Sequence, residues 1–113
     1  MIREVLSESD LAASNEDLKA LSRLGFKLSL IDDNWIQGKV NIPKIGLVKV
    51  HIIRYAKPHK RNIANGRISM LWIFEPRLAA DATLAHYELS RWVTQPKEPE
   101  VKKFVAQIIK ALS

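Results

Sequence analysis

The clearest pattern in the chain is at its C-terminal end. There Val101, Phe104, Val105, Ile108, Ile109 and Leu112 recur at the three- and four-residue spacing of one helix face. Pro99 stands in the first turn, where its missing amide loses no hydrogen bond, and Lys102, Lys103 and Lys110 fall off the stripe. So wide an apolar stripe needs a large partner, and a sheet is the only candidate the rest of the sequence offers. A shorter helix is expected over 15–24. Ser14 can cap it, Glu16 and Asp17 sit at the positive end of its dipole, and Leu18, Leu21 and Leu24 make a narrow stripe. Gly25 suits the left-handed residue that closes such a helix, with Phe26 as the apolar contact beyond it. Both helices read first as packing elements.

Between them, apolar and polar residues alternate with the period of strands. Phe26, Leu28 and Leu30 give a first strand, ended by the turn-forming Asp32, Asp33 and Asn34. A second begins at Trp35, with Ile36, Gly38, Val40 and Ile42 inward and Trp35, Gln37, Lys39 and Asn41 outward. A turn over 43–46 leads to a third, 47–55, with Val48, Val50 and Ile52 inward and Lys49, His51 and Tyr55 outward. Asn65 and Gly66 suit a tight turn of positive φ before a fourth strand, 67–74. That strand is apolar almost throughout, which makes it central, and its pattern leaves open which face carries Trp72. Residues 75–84 read as a loop or one helical turn. A fifth strand, 85–93, sets Tyr87, Leu89 and Val93 against His86, Glu88 and Ser90. The expectation is an α+β fold: an N-terminal helix, a mostly antiparallel sheet of four or five strands, and the C-terminal amphipathic helix packed on one face. A chain of 113 residues suits a single domain over 1–113, with 1–13 as a mobile arm or a further helical turn.

Charge adds a location to this outline. The overall +6 is unevenly spread: residues 1–34 are net −3, residues 35–74 net +8 with no acid at all, and residues 75–113 net +1. The positive field therefore belongs to the second, third and fourth strands and to the loop holding Lys57, Pro58, His59, Lys60 and Arg61. With no cysteine there is neither a disulfide framework nor a thiolate metal site, which fits a reducing, cytoplasmic setting. No signal-peptide pattern opens the chain and no apolar run reaches membrane-spanning length.

Little else carries chemistry. His51, His59 and His86 lie on three different elements without metal-ligand spacing, so no metal or other cofactor is expected. No nucleophile elbow or phosphate-binding glycine loop occurs, and Asp32 with Asp33 fits a turn better than an acid–base pair. A non-catalytic binding module is the expectation. Its candidate contacts to a nucleic-acid backbone or an acidic partner are Lys39, Lys49, His51, Lys57, His59, Lys60, Arg61 and Arg67, with Trp35 and Tyr55 as stacking candidates. The competing reading is a solvated basic surface, partly neutralised by the acidic N-terminal segment.

Trp35, Ile36 and Gly38, then Ile63, Asn65, Gly66, Arg67, Ile68, Ser69 and Leu71, then Tyr87, Trp92, Pro96 and the closing helix form an ordered set of landmarks. Their order resembles that of a family of short phage and prophage proteins of unknown function. The chain departs from that pattern at Ala64-Asn65, at Met70 and at Arg91-Trp92. The resemblance implies a mobile-element origin and no particular activity. It adds a second class of partner beside DNA or RNA: a host protein that such a protein would block, for example a CRISPR-type nuclease, in an anti-defence role.

Overall fold

In the computed structural model, which describes residues 15–32, 34–76 and 82–113, the first helix is α1 (Asn15–Arg23). The expected cap at Ser14, the arm over 1–13 and half of the 75–84 loop lie outside the described residues. Gly25 ends α1 in the left-handed region, φ 95°, and the Phe26 amide donates back to the Leu21 carbonyl at 3.2 Å. This closure turns Phe26 inward, where its ring lies 5.5 Å from that of Phe104.

Six strands follow: β1 (Lys27–Asp32), β2 (Trp35–Ile42), β3 (Gly46–Arg54), β4 (Ile68–Phe74), β5 (Thr83–Glu88) and β6 (Arg91–Thr94). They form one antiparallel open sheet in sequence order, and α2 (Pro99–Ala111) completes the α+β architecture. One face of the sheet is the core face. Ile36, Val40, Val48, Val50, Ile52, Leu71 and Ile73 are buried there with Leu21 of α1 and with Val101, Phe104, Val105 and Ile108 of α2. The stripe expected on the last helix is thus the one that is buried. Gly38 leaves room for the chain entering β1, since a Cβ there would stand 3.0 Å from the Lys27 carbonyl oxygen and 3.2 Å from the Phe26 ring.

The sheet has six strands instead of the expected four or five, because the stretch read as one strand over 85–93 is a hairpin. Leu89 and Ser90 both take positive φ, 54° and 68°, the conformation of a two-residue turn that matches strand twist. Leu-Ser lacks the Asn-Gly signature of such turns, so the alternation seemed to run through it. Leu89 is 80% exposed at the tip instead of sharing a face with the buried Tyr87. The turn before β4 also differs. Ala64 and Asn65 occupy the left-handed region, with φ 53° and 55°, while Gly66 has φ −102°.

Bulges account for the remaining differences. Met70 pairs with Ile53 but Ile68 pairs with Arg54, leaving Ser69 as an extra residue on β4. Ile68 therefore joins Leu71 and Ile73 toward the core, while Met70, Trp72 and Phe74 turn to the other face, which decides where the tryptophan lies. A bulge at Ser29 of β1 likewise sets Leu30 opposite Gln37, away from Phe26 and Leu28.

Candidate functional site

Among the described residues both helices lie on the core face, and the opposite face is built from three cross-strand rows. Directly paired residues of an antiparallel sheet project to the same side, so the register gives the rows. At one end Lys27, Lys39 and Lys49 stand opposite one another on β1, β2 and β3, and the row continues to Phe74 of β4. The middle row runs Leu30, Gln37, His51, Trp72, His86 and Thr94. The third row begins Asp32, Trp35, Ile53 and Met70, at the end where β3 leaves the sheet.

The lysine row has no carboxylate in it. Like charges directly opposite each other destabilise a sheet by a few tenths of a kcal/mol to about 1 kcal/mol, so this alignment is unfavourable until an anion meets it. Lys27 and Lys39 are exposed and Lys49 is half-buried. Beside them is a shallow depression of about 280 Å³ lined by Ser29, Gln37, Gly38, Lys39, Lys49, His51 and Phe74.

Rings fill the middle of the face. His51 is the hub, 6.1 Å from Trp35, 5.5 Å from Trp72 and 5.3 Å from Phe74 between ring centroids. Trp72 and Phe74 are 4.3 Å apart, and Trp72 is 5.5 Å from His86. The Trp72 indole is fixed by donating to Thr83 Oγ1 at 3.0 Å, and His86 Nε2 lies 3.2 Å from Glu88 Oε1. Burial first, and the charge of Lys49 second, hold the His51 imidazole below the ordinary histidine range. His51 is therefore neutral near neutral pH and serves as a flat polar ring, not a cation.

The basic loop borders the far end of this face. Its backbone is fixed: the His59 amide donates to the Gly66 carbonyl at 2.9 Å, Asn62 Nδ2 donates to the same carbonyl at 2.9 Å, and Tyr87 Oη donates to the Arg61 carbonyl at 2.7 Å. Lys57, Lys60 and Arg61 consequently project from a held frame, all exposed. His59 accepts from the Arg61 amide through Nδ1 at 3.1 Å. Arg61 lines a depression with Ile53, Met70 and Glu88, which joins the loop to the third row. Tyr55, Lys57 and His59 line a separate one.

The structure thus gathers Trp35, Lys39, Lys49 and His51 on one face with Arg61 at its rim, and sets Tyr55, Lys57 and His59 apart from the rings. Arg67 belongs to neither group. Its Nη2 donates to Asp17 Oδ1 at 2.8 Å and its Nε to the Leu112 carbonyl at 2.7 Å, tying the residue before β4 to α1 and to the end of α2. The expectation that Arg67 extends the binding surface is corrected accordingly, because its guanidinium is occupied beneath the helices. Arg54 Nε lies 3.0 Å from the other oxygen of Asp17, and Arg54 is 1% exposed. Sequence reasoning missed Lys27, Phe74 and His86, and it left open the face of Trp72. Only the register and the bulges bring them together, and no local spacing reports either.

A family model described as Domain of unknown function (DUF7678) matches residues 34–113. The chain belongs to this DUF7678 family. The DUF7678 match contains the ring cluster, Lys39, Lys49 and the basic loop, while Asp17 and Lys27 precede it. No curated protein and no solved structure matches the chain. Among the described residues no three His, Asp or Glu side chains are grouped as metal ligands, and no helix is long and apolar enough to cross a membrane.

Proposed function

We propose that the protein is a small non-catalytic binding module that holds the backbone of a nucleic acid on the open face of its sheet, with the basic loop extending the contact. The observation that carries this reading is the row of Lys27, Lys39 and Lys49 in direct cross-strand register, adjoining a surface of rings. Phosphates would relieve the repulsion within the row, and the arrangement then gains from binding what it loses in the free protein. Exposed Lys57, Lys60 and Arg61 supply further phosphate contacts at the opposite end. A mobile-element origin and a cytoplasmic setting belong to the same reading, supported by the motif resemblance and by the lack of cysteine.

Titration of mixed-sequence DNA and RNA at several salt concentrations tests it. Each phosphate contact is expected to contribute about 0.7–0.9 to the slope of log affinity against log salt. Replacing Lys57, Lys60 and Arg61 together is expected to lower that slope, and so is replacing Lys39 and Lys49. No binding to either polymer at low salt would sink the proposal. Capture from a host lysate with and without nuclease treatment separates it from the protein-partner alternative. A partner retained after nuclease treatment, and lost on removing the exposed ring of Trp35, points to an inhibitor of a host protein instead.

A further inference from the structure

Double-stranded and single-stranded nucleic acids both present phosphates, but only unstacked bases can meet rings. Four features of the open face bear on that difference. The cluster of Trp35, His51, Trp72, Phe74 and His86 spans β2 to β5 with centroid separations from 4.3 to 6.1 Å. Trp72 and Phe74 are half-buried, the Trp72 indole nitrogen is satisfied by Thr83, and its ring is tilted by 31° against both Phe74 and His86, so what this indole offers a partner is the part of the ring left exposed. His51 is held neutral, which suits stacking and removes a cation from the centre of the face. The lysines instead stand along one end of the cluster, and the depression beside them is lined jointly by Lys39, Lys49, His51 and Phe74. Cations at the border and flat rings in the middle match a strand whose phosphates run along the lysines and whose bases turn inward.

Building on the backbone-binding reading above, we infer that the ligand of this face is single-stranded, with bases stacked on Phe74, Trp72 and His51 and phosphates held by Lys27, Lys39 and Lys49. A duplex would meet the lysines but leave the rings unused, because its bases are paired and stacked on each other. The neighbouring row, which includes Ile53 and Met70, borders the depression lined by Arg61 and Glu88, so a short strand leaving the rings reaches a second cation, beside one carboxylate. Tyr55, the other stacking candidate from the sequence, opens onto the Lys57 and His59 depression and has no part in this platform.

The decisive experiment titrates the full chain with short labelled oligomers of DNA and of RNA, each as a single strand and as a duplex of the same sequence. Anisotropy reports affinity and tryptophan emission reports stacking. The expected result is tighter binding of the single strand by about tenfold or more, with quenching of the emission. Phe74→Leu keeps the apolar volume and is expected to weaken single-strand binding about 5- to 100-fold without changing the salt slope. Circular dichroism confirms that this variant is folded, and the wild-type comparison of strand with duplex stands without it. Equal or tighter binding of the duplex, or single-strand binding without quenching, overturns the stacking inference and leaves backbone binding intact. Absence of binding to every oligomer overturns both. The polymer bound more tightly identifies DNA or RNA as the source of the strand.

Discussion

Arg54 and Arg67 lie beneath the helices around one carboxylate, whereas Lys39 and Lys49 stand on the open face beside Lys27 with no acid in their row. Arg54, Arg67, Lys39 and Lys49 all come from the same acid-free stretch of sequence. The difference shows that local charge density does not by itself mark a binding surface. Guanidinium groups form forked, weakly hydrated contacts that tolerate burial, and here two of them recruit Asp17 from α1 and so fasten the helix to the sheet. Ammonium groups are strongly hydrated and stay at the surface. The pairing also bears on whether the acidic N-terminal segment masks the lysines, since α1 directs Asp17 to the core side of the sheet.

The sharpest way to break the paired half of this comparison is Asp17→Asn. The carboxylate is 6% exposed and bridges both arginines, and its loss leaves the buried Arg54 and the half-buried Arg67 facing one amide. Truncating one side of a buried ion pair typically costs about 3–5 kcal/mol, so a large fall in the urea midpoint is expected. An unchanged midpoint would mean that the arginines do not depend on Asp17.

Arg67→Gln is expected to have the next largest effect. It removes charge-assisted hydrogen bonds to Asp17 and to the Leu112 carbonyl, a loss on the order of 1–3 kcal/mol. The salt slope of nucleic-acid binding should not change. Lys49→Gln gives the opposite pattern, with little change in stability and a slope lowered by about 0.7 for a single strand. If both substitutions lower the slope equally, the distinction between fastening and binding cations fails.

Much of this division is invisible along the chain. The wide stripe of α2, the left-handed end of α1 at Gly25 and the inward sets of β2 and β3 follow from local periodicity and are found as expected. Periodicity fails wherever one extra residue enters a strand. Ser69 moves Met70, Trp72 and Phe74 away from the side that holds Ile68, and the hairpin at Leu89-Ser90 divides a stretch whose alternation seemed unbroken. The site suffers for the same reason. Lys39, Lys49 and His51 were legible because β2 and β3 pair without a shift, whereas Lys27 and Trp72 depend on registers set by bulged neighbours. Arg67 was misassigned because the residue that claims it lies fifty positions earlier in the chain.

On the open half, Lys39→Glu tests whether the lysine row is strained. A carboxylate between Lys27 and Lys49 replaces two repulsions with two attractions, and an exposed pair of this kind is worth about 0.2–1 kcal/mol. Stability should therefore rise slightly while nucleic-acid affinity falls, a combination that a merely structural lysine would not give. A loss of both would show that Lys39 supports the sheet instead of a ligand.

The smallest expected effect is the most specific to the proposed site. Because the folded protein holds His51 below its ordinary value, near 6.5, the unfolded chain takes up the proton first as pH falls. The stability owed to neutral His51 is complete above that pH and is lost as pH falls toward the depressed folded value. His51→Gln should flatten this part of the profile. Lys49 and Lys39 are the cations beside the ring, His86 lies beyond Trp72 with Glu88 at its Nε2, and no carboxylate stands next to His51 in its row. Phosphates bound along the lysines would offset the repulsion from Lys49, the smaller of the two causes, and raise the imidazole part of the way. Binding should then draw in a fraction of a proton as pH falls below the ordinary histidine value, measurable by calorimetry in buffers of different ionisation enthalpy. Proton uptake that persists in His51→Gln would assign it to another group, and binding without uptake would place the phosphates away from the rings.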